Sequence, residues 1–290
     1  MIPRHLPAFA NQLVKLLSIK SSSVVLDCTL GDGTHTQEAL SVGAKVISLD
    51  VDPEAIERST SFIPANLQKN WRVYRENFSN INSLFQKESL LRPDIILMDL
   101  GTSQYQLANA ERGFSFQTDA PLDMRLDNRL QVTAKDLING LSENELAQLF
   151  LLSDERYAKP IAKAITNFRL TKSMTTTFEL KSLIEKIKPA RRKINPATKV
   201  FQSLRMAVNL ERENLENGLR ACFSLLKPNG QIAVISFHSG EDRIVKHYLR
   251  HLVQENLAHL LSRKPLKPEN NELQINKKIR SAKLRLLQKN

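Results

Sequence analysis

Two glycines and an acid near the start of the chain stand where they could hold a nucleoside. Gly31 and Gly33 lie in DCTLGDGTH (27–35), between an apolar run and a helical pattern, where glycine lets the backbone turn sharply and approach a ligand. Asp50 ends the next apolar run, 19 residues after Gly31, where a carboxylate can accept hydrogen bonds from both ribose hydroxyls of an adenosine. Because Thr36 replaces the third glycine of a dinucleotide fingerprint, the pattern favours an adenosine cofactor without a diphosphate, best matched by S-adenosylmethionine. The glycine loop by itself fits an ordinary tight turn equally well.

Two other side chains mark the ends of apolar runs. Asp99 ends the fourth run, and an acid at the carboxyl end of a strand is more often functional than one in mid-strand, because a core has no use for it. We therefore predict that Asp99 lies beside the methyl donor. Phe78 follows the third run, where its flat ring could lie against an adenine, although a place in the ordinary core explains it equally well.

The elements that would position these residues alternate between strand and helix. Short β-branched runs predict strands, and the stretches between them carry helical periodicity. The predicted strands are 24–29, 45–50, 71–77, 94–100 and, much later, 231–237; the predicted helices between the first four are 36–43, 53–61 and 80–90. This alternation predicts an α/β fold with a parallel sheet, whose ligands bind at the carboxyl ends of the strands.

A helical insertion separates the fourth and fifth predicted strands. Its helical patterns, together with one that continues past it, are 142–152, 158–168, 178–187 and 200–226. We therefore predict a cofactor-binding domain made of 1–105 and 201–290, and an inserted helical domain, 106–200, that recognises the substrate. A further helix is expected at 241–253, and 278–287 is expected to form a closing edge strand.

The net charge of +12 is unevenly placed. Residues 186–205 contain seven basic residues and no acid, and residues 263–290 contain nine basic and two acidic residues, so the remainder is slightly acidic. Either run alone is typical of solvated surface. Two such runs favour a polyanionic partner, whose phosphates release counterions when cations bind them.

Cysteine usage and apolar patterning predict the compartment. Cys28 and Cys222 are the only cysteines, and Cys28 falls in a predicted buried strand, so we expect no disulfide framework. The first 30 residues lack the pattern of a signal peptide, and no run approaches the roughly 18 apolar residues of a membrane span. We therefore expect a soluble cytoplasmic protein, and we expect no metal site.

Five segments, in order along the chain, resemble one family. They are DCTLGDGTH (27–35), DLGTSQYQLANAERGFSFQTDAPLDMRLD (99–127), NPATKVFQSLRMAVN (195–209), ISFHSGEDRIVK (235–246) and RSAKLR (280–285). Together they resemble the ribosomal RNA small subunit methyltransferase H family, also called RsmH or MraW, over essentially the whole chain. The resemblance implies a Rossmann-like, class I S-adenosylmethionine-dependent methyltransferase sheet with an inserted all-helical domain. It also implies methylation at N4 of a cytidine in the decoding region of small-subunit ribosomal RNA.

The resemblance assigns candidate roles to individual residues. It carries the family's cofactor contacts onto Gly33, Thr34, His35, Asp50, Phe78, Asp99 and Gln106. Asp99 is the candidate catalytic residue, accepting a hydrogen bond from the N4 amine or helping to remove its proton, although a backbone carbonyl or a water would serve the same purpose. The candidates for RNA contact are Arg112, Asp123, Arg125, Arg191, Arg192, Lys193, His238 and Arg243. A structural role stays open for His238, and the charges of 111–127 could equally well pair only with one another.

Some residues depart from the family pattern. Thr34 stands where the family usually has glycine, and Gln104-Tyr105 replace a Ser-Pro pair. A β-branched residue at position 34 would be strained if the loop required a positive φ there. Two other functions therefore stay open: a noncatalytic ribosome-assembly factor that keeps the RNA surface, and an amino-directed methyltransferase acting on another nucleic acid.

Overall fold

The computed structural model describes residues 6–189 and 195–290 and divides into two compact units. Unit 1 comprises Met1–Gly101 and Arg212–Asn290, and unit 2 comprises Thr102–Glu211. The junctions lie at 101/102 and 211/212, whereas the sequence suggested 105/106 and 200/201. The three predicted phosphate contacts Arg191, Arg192 and Lys193 lie outside the described residues.

A seven-stranded sheet forms the centre of unit 1. Its strands are β1 (Val24–Asp27), β2 (Lys45–Asp50), β3 (Trp71–Arg75), β4 (Ile95–Asp99), β5 (Gln231–Ser236), β6 (Ala258–Leu260) and β7 (Lys283–Lys289). Their order is β3-β2-β1-β4-β5-β7-β6, with β1 to β5 parallel and β7 antiparallel to both of its neighbours. The five predicted parallel strands are confirmed. The prediction of an edge strand at 278–287 was wrong, because the short strand β6 pairs with the outer side of β7.

The α-helices follow the chain as α1 (Leu13–Leu16), α2 (Thr34–Ser41), α3 (Pro53–Phe62), α4 (Ala65–Gln68), α5 (Ile81–Lys87), α6 (Gln104–Ala108), α7 (Ala134–Gly140), α8 (Glu143–Leu151), α9 (Ala158–Arg169), α10 (Thr177–Ile187), α11 (Thr198–Val208), α12 (Glu211–Leu225), α13 (Ser239–Gln254) and α14 (Asn270–Ile275). Short 3-10 helices cover Phe78–Asn80, Ala110–Arg112 and Lys277–Ser281. Helices α6 to α11 belong to unit 2. Within the described ranges, no helix combines the length and the apolar character needed to cross a bilayer.

Both faces of the sheet are buried. Successive side chains of a strand point to opposite faces, so Leu26 and Ile96 belong to one apolar cluster, and Val25 and Leu97 belong to another. A parallel sheet covered on both faces has nearly continuous apolar strands, which explains why these runs were easy to recognise in the sequence.

Unit 2 encloses one apolar cluster among its helices. Phe201 and Leu204 of α11 are buried in that cluster, which is why the second junction falls later than predicted. The continuous helical pattern predicted over 200–226 was wrong in one respect. It breaks between α11 and α12, where Asn209 follows the last helical residue and Leu210 adopts a φ of +49°.

Candidate active site

Three acids are the last residues of parallel strands in unit 1. Asp27, Asp50 and Asp99 end β1, β2 and β4, so they lie along the same edge of the sheet, where open α/β sheets bind ligands. Burial raises the pKa of all three carboxyl groups above the ordinary value for aspartate. Shifts of this kind are frequent at functional sites.

The loop between β1 and α2 approaches this edge through two glycines. Gly31 has a φ of +51° and Gly33 a φ of +71°, and a Cβ on Gly33 would lie 2.9 Å from Ser59 Cβ. Thr34 is the first residue of α2 and is not among the described residues with a positive φ. The strain expected if position 34 required a positive φ is therefore absent, because the left-handed positions fall on the glycines.

Asp50 joins the glycine loop to the end of β2. Its Oδ2 accepts a hydrogen bond from the Gly31 amide at 2.9 Å, and its Oδ1 accepts one from the Asp52 amide at 3.0 Å. Burial raises the pKa of Asp50 to about 6, although these two hydrogen bonds oppose the shift. Each carboxylate oxygen can accept a second hydrogen bond, so Asp50 still offers two acceptors to a vicinal diol.

His35 lies between two carboxylates at the same edge. Its Nε2 is 3.7 Å from Asp99 Oδ2, and its Nδ1 is 3.7 Å from Glu38 Oε2. Burial by itself would lower the pKa of His35, but the two acids raise it to about 10. The imidazole is therefore charged at neutral pH. Asp99 Oδ1 is buried and accepts no hydrogen bond from the described residues, so it can accept one from a ligand.

Asp27 supports the loop from within the protein. It is 2% exposed, and its two oxygens accept hydrogen bonds from the Thr29 amide at 3.1 Å and from Thr36 Oγ1 at 2.7 Å. Thr36 Oγ1 lies 2.7 Å from Ser48 Oγ, which accepts a hydrogen bond from Trp71 Nε1 at 2.9 Å. Because Thr36 donates its proton to Asp27, Ser48 must donate to Thr36. This chain of donors ties β1, β2 and β3 to the start of α2.

Phe78 follows β3 and packs against helix α12 of the same unit. A Cβ on Gly218 would overlap the Cδ2 and Cε2 atoms of Phe78. Glycine within a helix costs about 1 kcal/mol relative to alanine, and the close approach of the ring accounts for its presence here. Phe78 is half-buried, so part of its ring stays accessible. Its contact with an adenine stays a prediction.

His238 and Arg243 lie at the start of α13, directly after β5. The His238 side chain caps the helix: its Nδ1 accepts a hydrogen bond from the Glu241 amide at 3.3 Å, while Glu241 Oε2 accepts hydrogen bonds from the amides of Phe237 and His238. His238 therefore has a structural role as the cap of α13, and contact of His238 and Arg243 with RNA stays a prediction. Arg243 is exposed.

The remaining predicted contacts belong to unit 2. Gln106 lies in α6, where its Oε1 accepts a hydrogen bond from the Ser103 amide at 2.8 Å. Arg125 makes two hydrogen bonds to the Asp123 carboxylate, at 2.9 and 2.7 Å, and Arg112 donates to the carbonyls of Arg125 and Leu126. These charges hold the loop 111–127 in shape. Contact of Gln106, Arg112, Asp123 and Arg125 with cofactor or RNA stays a prediction.

Sequence reasoning did not single out three residues of this site. Glu38 could have been found from its position three residues after His35 on one helix, a spacing that places the two side chains on the same face. Asp27 ends β1 as Asp99 ends β4, but the first strand was predicted to continue to residue 29, so Asp27 was read as a mid-strand residue. Gly218 was visible only as a glycine within a helical pattern, and nothing in the sequence indicated Phe78 as its neighbour.

The arrangement in unit 1 fits an adenosine-based methyl donor. Two buried oxygens near the loop, Thr34 Oγ1 and Asp99 Oδ1, lack a hydrogen-bond partner among the residues described. Asp50 presents its two acceptors, and a Cβ on Gly31 would meet only the Thr29 carbonyl oxygen, at 3.9 Å, so the backbone there is open to close approach. Buried polar atoms without partners carry a free-energy cost that a bound ligand removes.

The sheet order, the antiparallel β7 and the glycine loop followed by an acid at the end of β2 define a class I S-adenosylmethionine-dependent methyltransferase. Comparison with known proteins is more specific. The model of the MraW methylase family matches residues 3–290, so the chain belongs to that family.

Several relatives are similar to the chain over nearly its full length. A protein named ribosomal RNA small subunit methyltransferase H from Carboxydothermus hydrogenoformans is 38% identical over 98% of this chain and 97% of its own. Proteins of the same name from Cyanothece sp. and Gloeothece citriformis are 40% and 41% identical, each over 98% of this chain and 94% of its own. Among solved structures, an rRNA methylase from Streptococcus thermophilus is 12% identical, with a TM-score of 0.48 over 100% of this chain and 98% of its own.

Proposed function

We propose that this protein transfers the methyl group of S-adenosylmethionine to N4 of a cytidine in the decoding region of small-subunit ribosomal RNA. The observation that carries the proposal is the near full-length similarity to proteins named ribosomal RNA small subunit methyltransferase H. The sheet edge supports it, because Asp50 and Asp99 supply acceptors of the kind that a nucleoside donor and an amine substrate require. We place the reaction in the cytoplasm, with unit 2 recognising the RNA.

Asp99 is the residue that we assign to the reacting amine. The cofactor supplies an activated methyl group on a sulfonium. The exocyclic amine of cytosine is a poor nucleophile because its lone pair is delocalised into the ring, so the protein must orient it and stabilise the positive charge that develops on nitrogen. Asp99 Oδ1 would accept a hydrogen bond from N4 and then its proton. His35, 3.7 Å from Oδ2, favours the ionised form of Asp99.

The target cytosine must leave any base stack to reach the methyl donor. Sequence-specific RNA recognition favours loops and locally opened segments for this reason, and enzymes that modify bases commonly extrude them. We therefore propose a single-stranded or locally opened segment of the RNA as the substrate.

A labelling experiment tests the activity and the substrate together. The protein is incubated with methyl-labelled S-adenosylmethionine and one of three substrates: assembled small ribosomal subunits, naked small-subunit ribosomal RNA or duplex DNA. We expect label at N4 of one cytidine with at least one of the two RNA substrates and none in DNA, as mapped by nuclease digestion and mass spectrometry. Cofactor binding without transfer to any substrate would favour the assembly factor, and label in DNA would favour a different amino-directed methyltransferase.

A further inference from the structure

Helix α13 carries a row of basic side chains along one face. Arg243, Lys246, His247, Arg250 and His251 follow one another at intervals that keep them together on a helix of 3.6 residues per turn. Lys246 is partly exposed and the other four are exposed. These five residues are called the α13 stripe below.

The opposite face of α13 is anchored in unit 1. Val245 and Leu249 are buried in the apolar cluster on one side of the sheet. Asp242 accepts hydrogen bonds from Lys283 Nζ at 2.9 Å and Arg285 Nε at 2.7 Å, both on β7. These contacts fix the rotation of the helix about its axis, so the α13 stripe faces outward in a defined direction.

The arginines and the lysine of the α13 stripe, which are charged at neutral pH, have no partners of their own. Arg243, Lys246 and Arg250 form no hydrogen bond or ion pair with any residue in the described ranges. The two acids within the helix, Glu241 and Asp242, are buried on the anchored side. Isolated surface cations are usually just solvated, but three on one rigid helix face make a continuous positive surface.

The α13 stripe starts near the edge of the sheet that carries the candidate active site. Helix α13 begins directly after β5, and Asp99 is paired in register with Ile235 of that strand. At 1.5 Å per residue, the distance along the helix from Arg243 to Arg250 is about 10 Å. A nucleic-acid strand rises about 3.4 Å per nucleotide, so this length corresponds to roughly three phosphates.

We propose that the α13 stripe binds the backbone phosphates of the RNA strand that flanks the target cytidine. The inference rests on the proposed function, because it takes the polyanion to be the substrate RNA. Contacts with phosphates set the position of a strand without reading its sequence. The stripe would hold the strand beside the active site while other contacts select the base.

The test compares two charge-neutralised variants. The stripe variant combines Arg243→Gln, Lys246→Gln and Arg250→Gln. The control combines Lys45→Gln, Lys69→Gln and Arg72→Gln, which removes three exposed cations from β2, from the residue after α4 and from the far edge strand β3. Both variants lose the same net charge, and the control leaves the candidate active site untouched.

Affinity for small-subunit ribosomal RNA is measured from about 50 to 200 mM salt, together with methyl transfer and cofactor binding. For the stripe variant we expect RNA affinity about tenfold weaker at the low-salt end, and a slope of log affinity against log salt shallower by about two. The KM for RNA should rise, while kcat at saturating RNA and cofactor affinity stay unchanged, which also shows that the variant is folded. The control should resemble the wild type.

Two results would overturn the inference: a stripe variant with the wild-type salt slope, or a control variant with the same loss. Failure of the proposed function looks different, because the wild-type protein itself would then methylate no ribosomal RNA.

Discussion

Two loops of this molecule, 27–35 in unit 1 and 111–127 in unit 2, differ in how the polar groups in and around them are paired. Near the glycine loop of unit 1, the buried atoms Thr34 Oγ1 and Asp99 Oδ1 lack hydrogen bonds to the described residues. In the loop 111–127 of unit 2, Arg125 and Asp123 bind each other with two hydrogen bonds. Across 111–189 and 195–211, no buried side-chain nitrogen or oxygen lacks a hydrogen bond. At this edge of the sheet, the unpartnered oxygens leave acceptors for a ligand, whereas the paired charges of the loop 111–127 hold that segment in shape.

The strongest test of this difference replaces Asp99 at the end of β4 and Asp123 in the loop 111–127. Asp99→Asn should lower kcat about 10²-fold to 10³-fold at saturating substrates, because it removes the charge that accepts the proton from the amine. Asp123→Asn should change kcat less than about threefold, with its main effect on thermal stability, because its partner is Arg125. Steady-state methyl transfer measures both. A near wild-type kcat for Asp99→Asn would remove Asp99 from the reaction.

A glycine in the second loop tests whether that loop is a scaffold. Gly113 has a φ of +67°, and an added Cβ would overlap the Pro121 carbonyl oxygen. Gly113→Ala should therefore lower the free energy of unfolding by about 3 kcal/mol, as measured by urea denaturation. Gly140→Ala is the matched control, since a Cβ there meets no atom within 4 Å. At that helical position alanine should raise stability by about 0.5 kcal/mol. Equal stability of the two variants would contradict the assigned constraint on the loop.

The pH dependence of cofactor binding tests Asp50, another of the acids at the edge of the sheet in unit 1. The pKa of Asp50 is about 6 in the folded protein, so the carboxyl is largely protonated at pH 5. Hydrogen bonds from a ribose diol favour the ionised form, and cofactor affinity should therefore rise about tenfold from about pH 5 to pH 7. The stability of the cofactor-free protein should move oppositely: the raised pKa means that it falls as pH rises from about 4 to 6.

Calorimetric titration of S-adenosylmethionine at several pH values measures the effect. In Asp50→Asn the affinity should be weaker and no longer depend on pH in this range. A wild-type protein whose affinity is flat between pH 5 and 7 would show that Asp50 does not bind the cofactor.

The smallest expected effect concerns Phe78 and its neighbour. Gly218→Ala should displace the ring and raise the KM for cofactor about fivefold, with kcat unchanged, while alanine returns up to about 1 kcal/mol of helix stability. In a Phe78→Leu background, Gly218→Ala should raise the KM for cofactor much less, because the effects of substitutions at two residues in contact are not additive. An unchanged cofactor KM in Gly218→Ala would assign Phe78 to core packing alone.

Local patterns in the sequence predicted much of unit 1. The strand and helix periods are properties of consecutive residues, and parallel strands necessarily bring their carboxyl ends to one edge. The spacing of Gly31 and Asp50 was therefore enough to place them together, and the structure joins them by a hydrogen bond of 2.9 Å. The Thr34 departure raised a doubt that the backbone removes, since both left-handed positions of the loop fall on glycine.

The features that sequence reasoning missed depend on partners far along the chain. Helix α11 ends at Val208, and the Asn209 side chain that follows it accepts a hydrogen bond from the Leu126 amide and donates to the carbonyls of Met124 and Arg205. Nothing near residue 209 reveals this. The inner position of β7 likewise depends on β6, which has only three residues and too little pattern to predict.

The inner position of β7 also affects how the protein is made. Strands β1 to β4 leave the ribosome before any residue of unit 2, and β5, the neighbour of β4, is synthesised only after the whole of unit 2. At roughly 5–20 residues per second, the growing chain carries β4 without its outer neighbour for on the order of ten seconds. Unit 2 is contiguous, so its own helices are all available as soon as residue 211 has been made. The sheet is completed last, when β7 inserts between β5 and β6, and until then β5 exposes an unpaired edge that invites aggregation.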